Sequence, residues 1–205
     1  MFFRQIIDPL LSQHAYLIGC ETTKEAILFD PERDIERYLK LAERNGYKII
    51  GAADTHLHAD YLSGLRQLAE SGIKVYASAE GGRDWQYEWL KGSNYKHQLL
   101  RDGDSFSTSN ITFKVFYTPG HTPEHLSYIV SENKNGVSAP LGILTGDFVF
   151  VGDVGRPDLL ETAAGVVGSA KAAAEELFES IQKFKELSSD LMVWPAHGAG
   201  SACGK

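Results

Sequence analysis

Four short segments constrain this chain more than anything else in it. Thr55-His56-Leu57-His58-Ala59-Asp60, Thr118-Pro119-Gly120-His121-Thr122-Pro123-Glu124-His125, Thr145-Gly146-Asp147 and Trp194-Pro195-Ala196-His197-Gly198 each directly follow an apolar run that reads as a strand. Alternate residues at a strand end point the same way, so His56 and His58 can converge, with Asp60 at the start of the next element reaching back toward them. Gly120 lets the backbone approach closely, and the two prolines around His121 stiffen its loop. His125, one helical turn further on, reads as a hydrogen-bond partner rather than a ligand. Any one segment has a bland reading, a capping aspartate or a turn histidine. Four strand ends that each present His or Asp beside Gly or Pro read together as a metal centre.

The rest of the chain is what such a centre needs around it. At 205 residues and 22.6 kDa it is long enough for one large core without staples. With 20 Lys+Arg against 27 Asp+Glu, the net charge of −7 speaks against a nucleic-acid or anionic-membrane surface, either of which needs a cationic face. No apolar run is long enough for a membrane-spanning helix, and the N-terminus reads as a strand rather than a signal peptide. Cys20 and Cys203 are too few for a disulfide framework. A reducing, cytoplasmic location is the resulting expectation.

Strands are expected at Phe2 to Ile7, His14 to Gly19, Glu25 to Phe29, Lys48 to Ala53, Lys74 to Ala77, Leu99 to Leu100, Ile111 to Tyr117, Leu126 to Val130, Gly142 to Leu144 and Leu191 to Trp194. Helices are expected near Glu32 to Asn45, closed by Gly46, at Asp60 to Ser71 with Leu62, Leu65 and Leu68 on one face, and at Val166 to Leu187 with an Ala170, Leu177, Ile181, Phe184 stripe. Strands flanked by helices early and late predict a sheet sandwich covered by helices on its outer faces.

In this order the motifs resemble the metallo-β-lactamase superfamily, over essentially the whole chain, and the resemblance implies an α/β fold, the αββα sandwich, with the metal at one edge of the two sheets. Tyr16-Leu17-Ile18-Gly19-Cys20, the stretch from Thr118 to His125, and Gly146-Asp147 followed by Val151-Gly152-Asp153-Val154-Gly155-Arg156-Pro157-Asp158-Leu159 are similar to the persulfide dioxygenase branch. The ending Pro195-Ala196-His197-Gly198-Ala199-Gly200-Ser201-Ala202-Cys203-Gly204-Lys205 is similar to bacterial proteins that continue into rhodanese (sulfurtransferase) domains. Residues 1–205 are therefore expected to be one domain, cut from a longer chain with C-terminal rhodanese domains.

The same resemblance implies one Fe(II) per chain held by His56, His121 and Asp147, a facial triad that leaves open positions for substrate and O₂. His58, Asp60 and His197 are then catalytic neighbours that hydrogen-bond metal-bound water or oxygen species. The implied reaction oxidises a low-molecular-weight thiol persulfide with O₂ to sulfite and thiol, as in sulfide detoxification. Tyr61 departs from the superfamily pattern, which has histidine there, and a neutral phenol is a poor ligand for a second divalent ion. Arg156 reads either as a clamp for an anionic thiol carrier or as a surface salt bridge with Asp153 or Asp158, and Cys203 as an entrance or sulfur-relay thiol. Trp85, Tyr87 and Trp89 read as core or as a substrate mouth, and Cys20 as a buried small residue. Two alternatives stand beside this reading. One is a zinc thioester hydrolase of glyoxalase II type with His56, His58 and His121 on one metal and Asp60, Asp147 and His197 on another; the second is a docking or regulatory domain for a sulfurtransferase. The carrier thiol stays open, and so does the oligomeric state, for which the family's paired sandwiches imply a homodimer.

Overall fold

Alternation along the first strands sends successive side chains into two different cores in the computed structural model, which describes residues 1–201 and 203. Strand β2 (Gln13–Gly19) places Ala15 and Leu17 on one face and Tyr16 and Ile18 on the other. Strand β3 (Glu25–Phe29) repeats the division with Ala26 and Leu28 against Ile27 and Phe29. Burial on both faces is the reason these strands read as nearly unbroken apolar runs. With β1 (Phe2–Asp8), β4 (Lys48–Ala53), β5 (Lys74–Ser78) and β6 (His97–Leu100) they form a six-stranded sheet in sequence order, antiparallel from β1 to β3 and parallel from β3 to β6.

The second sheet has the order β11-β10-β9-β8-β7, from β7 (Ser105–Thr108), β8 (Ile111–Tyr117), β9 (Leu126–Lys134), β10 (Val137–Gly146) and β11 (Met192–Pro195). All its pairs are antiparallel except β10 with β11. Phe29 and Tyr76 of the first sheet stack with Phe106, Phe113 and Tyr128 of the second, with ring centroids 3.9 to 6.3 Å apart. Helices α1 (Glu36–Arg44) and α2 (Leu65–Glu70) cover the outer face of the first sheet through Tyr38, Ala42, Leu65 and Leu68. On the other side lie the short α3 (Leu159–Ala164) and the longer α4 (Ser169–Phe184), the latter burying Leu177 and Ser180. The result is the αββα sandwich. No described helix is long and apolar enough to cross a membrane.

The sandwich corrects several expected boundaries. Helix α1 begins at Glu36 rather than near Glu32, because Glu32 is used in a bridge to Ser63. The helix expected from Asp60 is confined to Leu65–Glu70: the Ser63 hydroxyl donates to Asp54 (3.0 Å) and the Gly64 amide to the Pro31 carbonyl (2.7 Å), holding residues 60–64 as a strap, with Leu62 exposed. The helix expected from Val166 to Leu187 starts at Ser169, since α3 ends on the left-handed Gly165 (φ 71°). The polar segment around Asn133 to Gly136 is a two-residue hairpin turn between β9 and a β10 longer than expected, and β7 was not expected at all. Ala202, Gly204 and Lys205 of the rhodanese-like ending lie outside the described residues.

Candidate metal centre

The loops after β4, β8, β10 and β11 meet at one end of the sandwich. Backbone hydrogen bonds tie them there: Leu126 N to Thr55 O (2.8 Å), Ala196 N to Gly146 O (2.9 Å) and His14 N to Ala196 O (2.6 Å), with the Tyr128 hydroxyl donating to Asp54 O (2.8 Å). Where they meet, His56 Nε2 and His121 Nε2 lie 3.7 and 3.5 Å from Asp147 Oδ2. One donor atom from each of the three falls within 4.8 Å of the others. All three side chains are at most 1% exposed, and Asp147 Oδ2 is buried without a hydrogen-bond partner. A buried carboxylate oxygen left unpaired between two imidazoles costs free energy unless a cation completes it.

The remaining hydrogen bonds point both imidazoles at that oxygen. His121 Nδ1 donates to the Arg156 carbonyl (3.3 Å), which leaves the lone pair on Nε2. For His56 the chain is longer. Asp30 accepts from the Thr55 amide (2.7 Å) and from Thr55 Oγ1 (3.1 Å), so the Thr55 hydroxyl spends its proton on Asp30 and accepts from His56 Nδ1 (2.9 Å). His56 Nε2 is again left with its lone pair, and burial followed by the neighbouring imidazoles holds His56 neutral, well below the usual histidine range. Such outer partners fix the tautomer and aim of a metal-binding histidine.

His125 does not face the three donors. Its Nε2 accepts from the Asp147 amide (3.1 Å) and its Nδ1 donates to Thr118 Oγ1 (2.9 Å), which orients the Asp147 backbone. Burial, the largest influence, lowers its pKa to about 3. His197 bridges two carboxylates, Nδ1 to Asp147 Oδ1 (2.7 Å) and Nε2 to Asp60 Oδ2 (2.9 Å). Burial opposes its protonation, but these two hydrogen bonds overcome it and raise the pKa to about 10. Burial likewise works against ionisation of Asp147, yet the hydrogen bond from His197 and the charges of the surrounding imidazoles hold it well below the carboxylate range. The loop carrying His121 is clamped from outside: Ser180 of α4 donates to the Pro119 carbonyl (2.8 Å), and Gly120 (φ 137°) passes so close to Leu177 that a Cβ there would overlap the helix backbone.

The other sequence-predicted residues are spread around this centre. His58 stacks on Tyr61 (4.4 Å) and donates from Nε2 to Asp30 (3.1 Å), so it groups with Asp30 and Asp54 rather than with the three central donors. Burial disfavours its charge, but the Asp30 contact raises its pKa to about 9. The Tyr61 hydroxyl is held by Gln13 (3.2 Å) and by the Asp30 carbonyl (3.3 Å). Arg156 makes a two-pronged pair with Asp158 (3.0 and 2.7 Å). Cys203 is buried, in a group with Asp60 and His197. Tyr87 belongs to the helix-side core with Trp89 packed against it, and both line a cavity of ≈ 320 Å³ shared with His58 and Tyr61. Cys20 is buried between the sheets. A larger cavity of ≈ 450 Å³ opens beside His197, lined by Gln5, His14, Tyr16, Phe150 and Trp194. Sequence reading missed Asp30, Thr55 and Glu124. Asp30 looked like a turn residue before Pro31, and its one available signal was a carboxylate directly after the apolar run from Ala26 to Phe29.

Residues 8–197 match the metallo-beta-lactamase superfamily, and the chain belongs to that family. Within it, the chain is 26% identical over 203 residues to the mitochondrial persulfide dioxygenase ETHE1 of Bos taurus, covering 96% of this chain and 68% of that protein. It is 30% identical over 194 residues to the hydroxyacylglutathione hydrolase of Crocosphaera subtropica, covering 93% of this chain and 66% of the hydrolase. Among solved structures it superposes on a metallo-beta-lactamase from Staphylococcus aureus with TM-score 0.88 and 40% identity, covering 99% of this chain and 57% of that one. ETHE1 from Myxococcus xanthus gives TM-score 0.77 and 27% identity, covering 100% and 79%. The chain thus spans little more than half the length of the Staphylococcus protein.

Proposed function

We propose that this chain is a non-haem Fe(II) persulfide dioxygenase that oxidises a low-molecular-weight thiol persulfide with O₂ to sulfite and thiol. The observation that carries the reading is the buried trio of two imidazole Nε2 atoms and one unpaired carboxylate oxygen, within 4.8 Å of one another, in a chain similar to persulfide dioxygenases. The trio fits a single metal ion: both imidazoles are aimed by their Nδ1 partners, and Asp147 is ionised. Iron bound there would supply the unpaired electrons that let triplet O₂ react with a closed-shell persulfide, which zinc does not offer.

The chain's own residues do the rest. His197 carries protons on both ring nitrogens, Nδ1–H to Asp147 and Nε2–H to Asp60, and borders the cavity beside it, so the Asp60–His197 pair is where this reading holds a proton next to the site. Asp147 keeps its charge because His197 and the neighbouring imidazoles stabilise it. The cavity beside His197, walled in part by Phe150 and Trp194, is the place this reading assigns to the carrier thiol. A sulfurtransferase domain as partner and a cytoplasmic location belong to the same proposal, the latter in keeping with Cys20 and Cys203, neither of which is in a disulfide.

The competing reading, a zinc thioester hydrolase, draws on the 30% identity to hydroxyacylglutathione hydrolase. Metal analysis of protein purified without added metal, with oxygen consumption and sulfite release measured on glutathione persulfide, separates the two. Iron with oxygen uptake supports the dioxygenase. Zinc with thioester hydrolysis and no oxygen uptake by the iron-loaded chain overturns it.

A further inference from the structure

We propose that the cavity of ≈ 320 Å³ bordered by His58, Tyr61, Tyr87 and Trp89 binds a small hydroxylated aromatic carboxylate, its charge held at the rim and its hydroxyl on the floor. The cavity shares no lining residue with the central trio or with the cavity beside His197, so it is a separate site.

The floor calls for one hydroxyl. The Tyr87 hydroxyl and His58 Nδ1 are buried and have no hydrogen-bond partner among the described residues. Tyr87 is 4% exposed and the His58 side chain 0%, with its other ring nitrogen spent on Asp30 (3.1 Å). Buried polar atoms without partners cost free energy until something completes them. A ligand hydroxyl serves both, because it donates and accepts, whichever state His58 is in. Asp54 lines the same floor, accepting from the Ser63 hydroxyl (3.0 Å), and a second carboxylate beside it is disfavoured, which directs the charged end of the ligand outward. At the rim stand two arginines. The Arg33 guanidinium has no hydrogen bond or ion pair among the described residues, and Arg66 pairs with the exposed Glu70 (3.1 Å), an interaction of little worth. A carboxylate suits such planar forks, which hold its two oxygens side by side. Between rim and floor the wall is apolar: Leu57, Trp89 and Leu62, the last 66% exposed, leave a surface on which an aromatic ring packs.

The site does not depend on which reaction the central trio performs, and its test reads binding rather than activity, on the full chain as purified and again after metal removal. Isothermal titration calorimetry compares 4-hydroxyphenylacetate with phenylacetate, which lacks the hydroxyl, and with tyramine, which carries an ammonium in place of the carboxylate. The expected result is saturable binding of 4-hydroxyphenylacetate, with phenylacetate at least about tenfold weaker and tyramine weaker still. Arg33→Ala weakens the hydroxylated acid by about tenfold. Tyr87→Phe narrows its advantage over phenylacetate and, having lost an unpaired hydroxyl, unfolds no earlier than the parent when ligand-free. Gln5→Ala, on the cavity beside His197, keeps the parent affinity. If Tyr87→Phe fails to fold, Arg33→Ala, at an exposed position, carries the test. The proposal is overturned if 4-hydroxyphenylacetate does not bind saturably, if phenylacetate or tyramine binds as tightly, or if binding disappears with the metal. Affinity lowered in Gln5→Ala and unchanged in Arg33→Ala overturns it as well. Failure of the dioxygenase reading shows separately, as iron-loaded protein that consumes no oxygen.

Discussion

Thr55→Val removes one hydroxyl and leaves the shape of the side chain intact. In the native network that hydroxyl gives its proton to Asp30 and takes one from His56 Nδ1. Asp30 tolerates the loss, keeping the Thr55 amide and His58 Nε2 as donors. His56 does not, because its Nδ1–H then faces a methyl group in a fully buried setting. Leaving a buried donor unpaired costs about 1–3 kcal/mol of stability in the metal-free chain. If the ring instead moves its proton to Nε2, the penalty is relieved but the lone pair aimed at the metal is gone. Either route weakens the metal, and loss of such an outer partner lowers affinity by about 10- to 100-fold, or about 1.4–2.7 kcal/mol. Competition against a chelator with Fe²⁺ or Co²⁺ reads the affinity, and denaturant unfolding of the metal-free protein reads the stability. Thr55→Ser keeps the hydroxyl and restores both. A valine variant whose metal affinity and stability match the parent's would refute the Asp30–Thr55–His56 chain as the device that aims His56.

Three further outcomes follow from the same geometry. Gly120→Ala combines a left-handed backbone angle with overlap against α4 and lowers stability by about 2–4 kcal/mol in urea melts, with weaker metal binding as His121 is displaced. Burial, only partly offset by the Leu57 amide, raises Glu124 from 4.5 to about 7, so the folded chain holds a proton that the unfolded chain has released. Glu124 therefore contributes about 3 kcal/mol of stability to the metal-free chain that is lost as pH rises from about 4.5 to about 7, and the difference between the unfolding curves of the parent and Glu124→Gln shows that contribution disappearing over this range. Asp147→Asn empties the central trio, seen as loss of metal by elemental analysis, and lowers the His197 pKa, seen in its imidazole proton resonances, because one of two carboxylates holding that proton is removed.

Period-two alternation and apolar runs made most of the sandwich legible, because strands buried on both faces leave few polar residues to confuse the pattern. Strand β7 escaped because Ser105–Thr108 carries one apolar residue in four and exists by pairing with β8. The segment from Asp60 to Gly64 misled for the opposite reason: its leucine spacing is helical, but hydrogen bonds to Asp54 and to Pro31, the latter far off in sequence, hold it as a strap. In the centre, the grouping of His56, His121 and Asp147 was visible from motif and strand end. The supports were not. Thr55 and Asp30 lie 25 positions apart, and nothing local says that a threonine hydroxyl will be spent on that carboxylate. His58 could be read toward the metal from spacing alone, and only the tertiary structure shows its Nε2 on Asp30.

The stitching of β2 to the last loop governs when the centre can form. His14 bonds to Ala196, Gln13 bridges to His197, and the Tyr16 hydroxyl donates to the Pro195 carbonyl across 179 residues (2.7 Å). Closing a loop of that length costs about 5 kcal/mol of chain entropy, which can be met only after both sheets have condensed. His197 is therefore expected to dock late in refolding, with Asp147 gaining its imidazole partner only at that step. The expected outcome is that a pulse of metal early in refolding does not hasten formation of the sandwich, metal capture following folding rather than nucleating it.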